Sequence, residues 1–318
     1  LWDNKLPSIY LVNELWQLLF GAHYGLHTAD ELVVNGLTIG LFALLLRRYH
    51  LAGWPWVTAC FAVVLVVLPA EYDFTEFYAL PLILGALIAL DMPLIAGICL
   101  ALATTFWIPS ALVAVAICVL RARPEWLVRF AAGGLAVVLP YAFVVLLGPH
   151  TISALAATWP AHIKQGGASL ATSRLGFIRS LYGPLLSSGA GLCIALFLVF
   201  IRRPGNEAAQ RLAIGWIAAA LVGTVITGHP SAHYFVPALG ALMFGVAAFA
   251  GPSLAPYRAV PRLLAATAAM LLLFVTIPAA YANYRDVSIG CGQRSSHRSM
   301  HATCIWPWSY HLLKRIGT

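Results

Sequence analysis

Long apolar stretches recur from one end of the chain to the other, each closed by a short polar or charged break. Within them the apolar residues run on continuously or at helical spacing, without the strict alternation of a half-buried strand. This pattern predicts ten helical spans: 29–46, 53–70, 77–90, 94–106, 108–120, 130–148, 184–201, 212–228, 233–250 and 262–282. About 20 residues are needed to cross a hydrocarbon core. The third to fifth spans fall short of that, so they are expected to be tilted, partly buried in protein or divided differently. Ahead of them, residues 8–20 set Ile9, Leu11, Leu15, Leu18 and Leu19 against Asn13, Glu14 and Gln17. That is the pattern of a helix lying in the membrane interface.

Composition sharpens this picture. Of 318 residues, 61% are hydrophobic and 9% charged, whereas a soluble domain carries roughly a quarter charged residues and covers its surface with them. In lipid every backbone N–H and C=O needs a partner within the protein. The expected fold is therefore all-α, a polytopic transmembrane helical bundle. Residues 1–282 would form the membrane domain, with outer loops at 1–28, 71–76, 149–183 and 229–232. Residues 283–318 would form an extracytoplasmic tail anchored by Trp306, Trp308 and Tyr310. No repeat of fixed period and no low-complexity linker interrupts it. The chain opens at Leu1 with neither an initiator Met nor a signal-peptide pattern and stops after Thr318, so it is expected to be a piece of a longer protein.

Charge then sets the orientation. Placing the loops after spans one, five, seven and nine in the cytoplasm puts Arg47, Arg48, Arg121, Arg123, Arg129, Arg202, Arg203, Arg211, Arg258 and Arg262 there. The outer loops keep Lys5, Lys164, Arg174 and Arg179, and the tail holds Arg285, Arg294, Arg298, Lys314 and Arg315. The loops thus follow the positive-inside rule. Asp3, Glu14, Asp30, Glu31, Glu71, Asp73 and Glu76 all fall outside, so acidic chemistry is expected at the outer face. The net charge of +8 comes from these dispersed topogenic residues, with no aromatic-interleaved basic cluster that would suit nucleic acid.

Several outer residues can carry chemistry. Lys5, just ahead of the interfacial helix, can hold an anionic head group through three donors or simply snorkel to the surface. Glu71, Asp73 and Glu76 crowd a helix mouth, where they can be a base with orienting groups, oxygen ligands for a divalent metal, or solvated charges favoured by the helix dipole. Glu76 lies nearest the apolar helix. His229 and His233 stand four apart around a proline, spaced for a metal or for interfacial hydrogen bonds; His23 and His27 repeat the spacing. Arg174 and Arg179 in the long outer loop can meet a phosphate or an acceptor, or lie on the surface. Cys60, Cys99, Cys118 and Cys193 fall within spans as small apolar residues. Cys291 and Cys304 share the outer tail, where they can stay free or pair as a disulfide. With His297 and His301 they read C-x5-H-x3-H-x2-C, which matches no standard zinc spacing.

The run DNKLPSIYLVNELWQLLFG resembles the first-loop signature of GT-C fold membrane glycosyltransferases, more narrowly of protein O-mannosyltransferases and aminoarabinose–lipid A transferases. The matching positions are Asn4, Lys5, Pro7, Tyr10 and Leu19-Phe20-Gly21. Thr75-Glu76-Phe77-Tyr78-Ala79-Leu80 is similar to the family's second-loop acid and the helix after it. His233-Tyr234-Phe235-Val236-Pro237 is similar to the start of a late span, and Ile305-Trp306-Pro307-Trp308-Ser309-Tyr310 resembles the stretch after the last helix.

The resemblance implies transfer of a sugar from a polyprenyl-phosphate donor to a lipid, glycan or protein acceptor at the extracytoplasmic face of a bacterial inner or plasma membrane. Lys5, with Arg174 and Arg179, would bind the donor phosphate. Glu76, Glu71, Asp73 or Asp3 would be the base, with inversion at the sugar carbon and no metal or cofactor required. Tyr10, Trp107, His229, His233 and Tyr234 would touch sugar or acceptor. The family's principal acid lies upstream of its Lys–Pro motif, ahead of Leu1, so Asp3 is expected to be its neighbour or its substitute. Where the family carries a second lysine in a tight outer turn, this chain reads Thr105-Phe106-Trp107-Ile108-Pro109. The alternatives are a secondary transporter or flippase, or a noncatalytic assembly protein. A transporter would place ionisable residues at mid-membrane in two related halves, whereas here the spans are nearly free of charge.

Overall fold

The structure, a computed structural model, describes residues 7–20, 25–67, 75–147, 190–200, 206–226 and 232–254. All regular structure among them is helical. In chain order the helices are α1 (Pro7–Phe20), α2 (Gly25–Arg48), α3 (Trp54–Val67), α4 (Thr75–Ile88) and α5 (Pro93–Phe106). There follow α6 (Ser110–Leu120), α7 (Pro124–Leu147), α8 (Ala190–Phe200), α9 (Glu207–Ile226), a 3-10 turn η1 (Ala232–Phe235) and α10 (Val236–Leu254). Each described helix overlies one predicted segment. The predicted span 262–282 and the tail 283–318, with Cys291 and Cys304, lie outside the described residues.

Where boundaries differ, local chemistry explains it. Helix α7 starts at Pro124, not at 130, because proline suits the first helical position and Glu125 follows it in the first turn. Helix α9 starts at Glu207, ahead of the predicted 212, because the Asn206 side-chain oxygen accepts the Ala209 N–H at 3.1 Å. The Glu207–Arg211 ion pair then spans its first turn. Helix α2 ends in two crossed bonds, His50 N–H to the Arg47 carbonyl and Leu51 N–H to that of Leu46. They turn His50 left-handed at φ 53°, a conformation that glycine usually fills.

Helix α10 is the axis: every residue from 235 to 249 is buried. It packs on α9, α8, α3 and α4, and its apolar character on all sides suits the inside of such a shell. Helix α4 buries Ala79, Leu80, Ile83, Leu84, Ala86 and Leu87 in the same core. The periphery is the reverse. Among the described residues two helices, Pro124–Phe143 and Glu207–Ile226, are long and apolar enough to cross a membrane, and the apolar window of the first is only 11% buried. Val128, Leu139 and Phe143 stand exposed along it. On α1, Ser8 and Ile9 are buried while Leu11, Leu15, Leu18 and Leu19 stay uncovered.

The two ends of the bundle differ. One joins the α2–α3 turn, the α4–α5 turn and the starts of α7 and α9: Arg48 and Arg121 meet Asp91, and Asn206 donates to the Tyr49 carbonyl at 3.0 Å. The opposite end gathers the start of α4, the α5–α6 turn, the end of α9 and η1. Arg47, Arg48, Arg121, Arg123, Arg129 and Arg211 are all exposed helix-end residues of the first end. Six of the ten arginines that the loop reading groups together thus share one end, with Asp91, Glu125 and Glu207 beside them; Arg202, Arg203, Arg258 and Arg262 lie outside the described residues.

Helices α5 and α7 cross through paired glycines. A Cβ on Gly97 would fall on the Phe130 carbonyl, and one on Gly133 would fall on the Leu94 carbonyl, both far inside van der Waals contact. Only backbones without side chains come this close, and dispersion across the contact then holds them together. Gly97→Ala and Gly133→Ala are each expected to cost at least about 1–3 kcal/mol through overpacking. Gly36→Ala and Gly134→Ala, which meet open space, should be neutral or stabilise by up to about 1 kcal/mol. Thermal unfolding of the four purified variants in detergent checks this; equal midpoints for all four would refute the crossing.

Candidate functional site

The site is built from the end opposite the arginines. Thr75 opens α4 and Glu76 follows in its first turn. Glu76 is 2% exposed, so it is not the solvated surface charge that its position beside a loop would allow. Two local features suit a carboxylate there. The α4 N-terminus presents the positive end of its dipole, and the Thr75 hydroxyl donates to Glu76 Oε2 at 3.3 Å. One turn along, the Tyr78 ring stacks on Phe106, with centroids 5.5 Å apart and planes 17° from parallel. That contact fixes the mouth of α4 against the end of α5.

Tyr234 enters from η1, ahead of α10, within electrostatic reach of Glu76. Burial first, and the Glu76 charge second, push its phenol above the ordinary value of 10.0. The backbone beneath it is anchored to α9: the buried Thr224 hydroxyl lies 2.9 Å from the Tyr234 carbonyl and 3.0 Å from the Ala220 carbonyl. One hydroxyl thereby clips the end of α9 to the turn that carries the phenol.

The α5–α6 turn closes the third side. Trp107 leaves α5 in extended conformation, its N–H still bonded to the Ala103 carbonyl. Its indole is 4% exposed and wedges against Gly223 of α9, where an added Cβ would approach Trp107 Cη2 at 3.2 Å and Pro109 Cβ at 2.8 Å. Trp107 is thus a wall of the site in this state, held by packing. Its Nε1 and the Ser110 Oγ at the start of α6 are buried polar atoms with no hydrogen-bond partner among the described residues. Groups of that kind carry a desolvation cost that a polar ligand can relieve.

Of the residues singled out in the sequence, Glu76 and Tyr234 are brought together, and Trp107 stands on the same end of the bundle. Tyr10 lies on α1 and His233 in η1 by their backbones. Asp3, Lys5, Glu71, Asp73, Arg174, Arg179 and His229 lie outside the described residues. Among the described residues no three His, Cys, Asp or Glu side chains gather as a metal site. Sequence reasoning passed over Thr224, Gly223 and Ser110. Their one signal was position: a threonine next to a glycine at the end of an apolar run, and a serine just after a proline.

No family model, curated protein or solved structure matches the chain.

A raised phenol pKa keeps Tyr234 neutral to higher pH than in the unfolded chain. The stability it contributes is therefore full below pH 10.0 and lost as pH rises through the folded value. In Glu76→Gln the second cause is gone and burial remains, so the phenol should ionise at lower pH than in wild type while staying above its ordinary value. Ultraviolet titration of phenolate against a Tyr234→Phe background reads this directly. An unmoved titration in Glu76→Gln would separate the two groups.

Proposed function

We propose that the protein is a multi-pass membrane glycosyltransferase of GT-C type that moves a sugar from a polyprenyl-phosphate donor to an acceptor hydroxyl on the extracytoplasmic side. The observation that carries this reading is the buried Glu76 carboxylate at the end of the apolar bundle opposite the arginine collar, beside the Tyr234 phenol. A carboxylate withdrawn from water but placed at a helix mouth is suited to take a proton from an incoming hydroxyl. At mid-membrane, where a translocation pathway would need charge, α10 is apolar and buried instead.

In this mechanism the acceptor hydroxyl gives its proton to Glu76 as its oxygen bonds to the sugar carbon. The bond from that carbon to the phosphate oxygen breaks with inversion, and the phosphate leaves with the bonding pair. Lys5, with Arg174 and Arg179, neutralises the charge that grows on it. Asp3, Glu71 and Asp73 are the alternative bases, and Tyr10, Trp107, His229, His233 and Tyr234 contact sugar or acceptor. The chemistry calls for no metal or cofactor; partners are the lipid-linked sugar, its lipid, glycan or protein acceptor, and the membrane.

The test is transfer from radiolabelled polyprenyl-phosphate sugars in membranes containing the full-length protein. Glu76→Gln should lower transfer by about 10²–10⁴-fold, the usual worth of a general base, and Lys5→Ala should lower it through loss of phosphate stabilisation. Undiminished transfer in both variants overturns the site. Substrate-coupled ion flux in proteoliposomes, with no transfer, would instead mark a transporter.

A further inference from the structure

The geometry points to a second binding site, at the arginine end, that takes the phosphate head group of an anionic glycerophospholipid. It rests on the membrane placement above and is independent of the transferase chemistry. The site is formed by Arg48 at the end of α2, Arg121 at the end of α6 and Asp91 in the α4–α5 turn, with Arg47 and Tyr49 beside them.

Its electrostatics are unbalanced. A single carboxylate, Asp91, serves two guanidinium groups: one nitrogen of Arg48 pairs with Oδ2, and one of Arg121 lies 3.6 Å from Oδ1. Each guanidinium has five N–H donors in a planar fork, so most of the donors in the pair are free for another acceptor. The side chains are 36%, 44% and 65% exposed for Arg48, Arg121 and Asp91, which leaves them open to a ligand from outside. Tyr49 lies beside Arg121, and Arg47 sits over the Trp54 ring at 5.6 Å, aligned but not neutralised. A phosphodiester monoanion supplies the acceptor geometry that two forks lack here.

Two further observations favour a lipid over a free anion. The first is height. Trp54 lies under Arg47, and Trp126 donates its indole N–H to the Leu90 carbonyl at 2.8 Å while its ring stacks on Phe130. Tryptophans with one polar and one apolar side mark the head-group level of a bilayer. The second is what adjoins the charge. Leu94 and Ile95 in the first turn of α5, and Val128 near the start of α7, are large apolar side chains left exposed next to the cluster. A head group on the arginines would lay its acyl chains along that face. The first turn of α5, which carries no side-chain cap, adds the favourable end of its dipole.

The test uses the full chain in nanodiscs of phosphatidylcholine with or without a minor fraction of phosphatidylglycerol, counting retained phosphatidylglycerol by native mass spectrometry. Wild type should retain it preferentially. At roughly fivefold per arginine near a charged surface, the Arg48→Gln/Arg121→Gln double variant should retain it about thirtyfold less well. Asp91→Asn should retain it better than wild type, because removing the carboxylate frees both forks. A purely structural ion-pair cluster predicts the opposite, with Asp91→Asn and the double variant both losing lipid and helical content by circular dichroism. Equal retention by wild type and the double variant, or displacement by millimolar inorganic phosphate alone, would overturn the proposal. A double variant that loses the lipid yet keeps wild-type sugar transfer would leave this site standing apart from the transferase reading.

Discussion

The close crossing of α5 and α7, with Gly97 against the Phe130 carbonyl and Gly133 against the Leu94 carbonyl, sets the register of the whole bundle. Each glycine leaves room for a carbonyl of the opposite helix, so α5 cannot slide or rotate against α7 without driving a side chain into a backbone. Helix α5 carries an essential turn at each end. Asp91, just before it, has to reach Arg48 and Arg121, and Phe106 and Trp107, at its close, have to reach Tyr78 and Gly223. With about 1.5 Å of rise per residue, a slip of a single turn would detach both ends together. Packing without side chains therefore fixes the positions of groups that carry charge.

Between those ends the bundle separates its electrostatics. Arginines collect around Asp91 at one end, and a buried carboxylate faces a phenol at the other. The middle is occupied by α10 and the buried face of α4, apolar throughout. Such a layout keeps Glu76, Asp91, Arg48 and Arg121 near helix ends, where the dipole and water can help to stabilise them. The arginine end is open and exposed, whereas at the Glu76 end Trp107 and Pro109 pack closely on Gly223.

Much of this was legible in the sequence because the signals were local. Continuous apolar runs gave the helices, and the basic residues in alternate loops gave the ends. Glu76 stood out as the acid closest to an apolar helix, and its burial follows from that adjacency. Boundaries were read less well where a helix starts in polar residues. Pro124 and Asn206 are start signals, but the charged turns after them hid the first residues of α7 and α9 from a hydropathy reading. Gly97 and Gly133 were illegible for another reason: their meaning is a relation between two helices, and nothing within either helix announces it. Thr224 was missed on the same ground, since its partner at Tyr234 is supplied by a separate turn.

The enclosure of α10 has a consequence for how the molecule is made. Its neighbours α3, α4, α8 and α9 all precede it in the chain, so during synthesis they emerge first and must wait around an unfilled axis. The arrival of α10 completes the interior and brings η1, with Tyr234, to Glu76 in the same step. Maturation of the acidic mouth is thereby tied to translation of α10, and a ribosome product ending before residue 232 has the carboxylate but no phenol to set beside it.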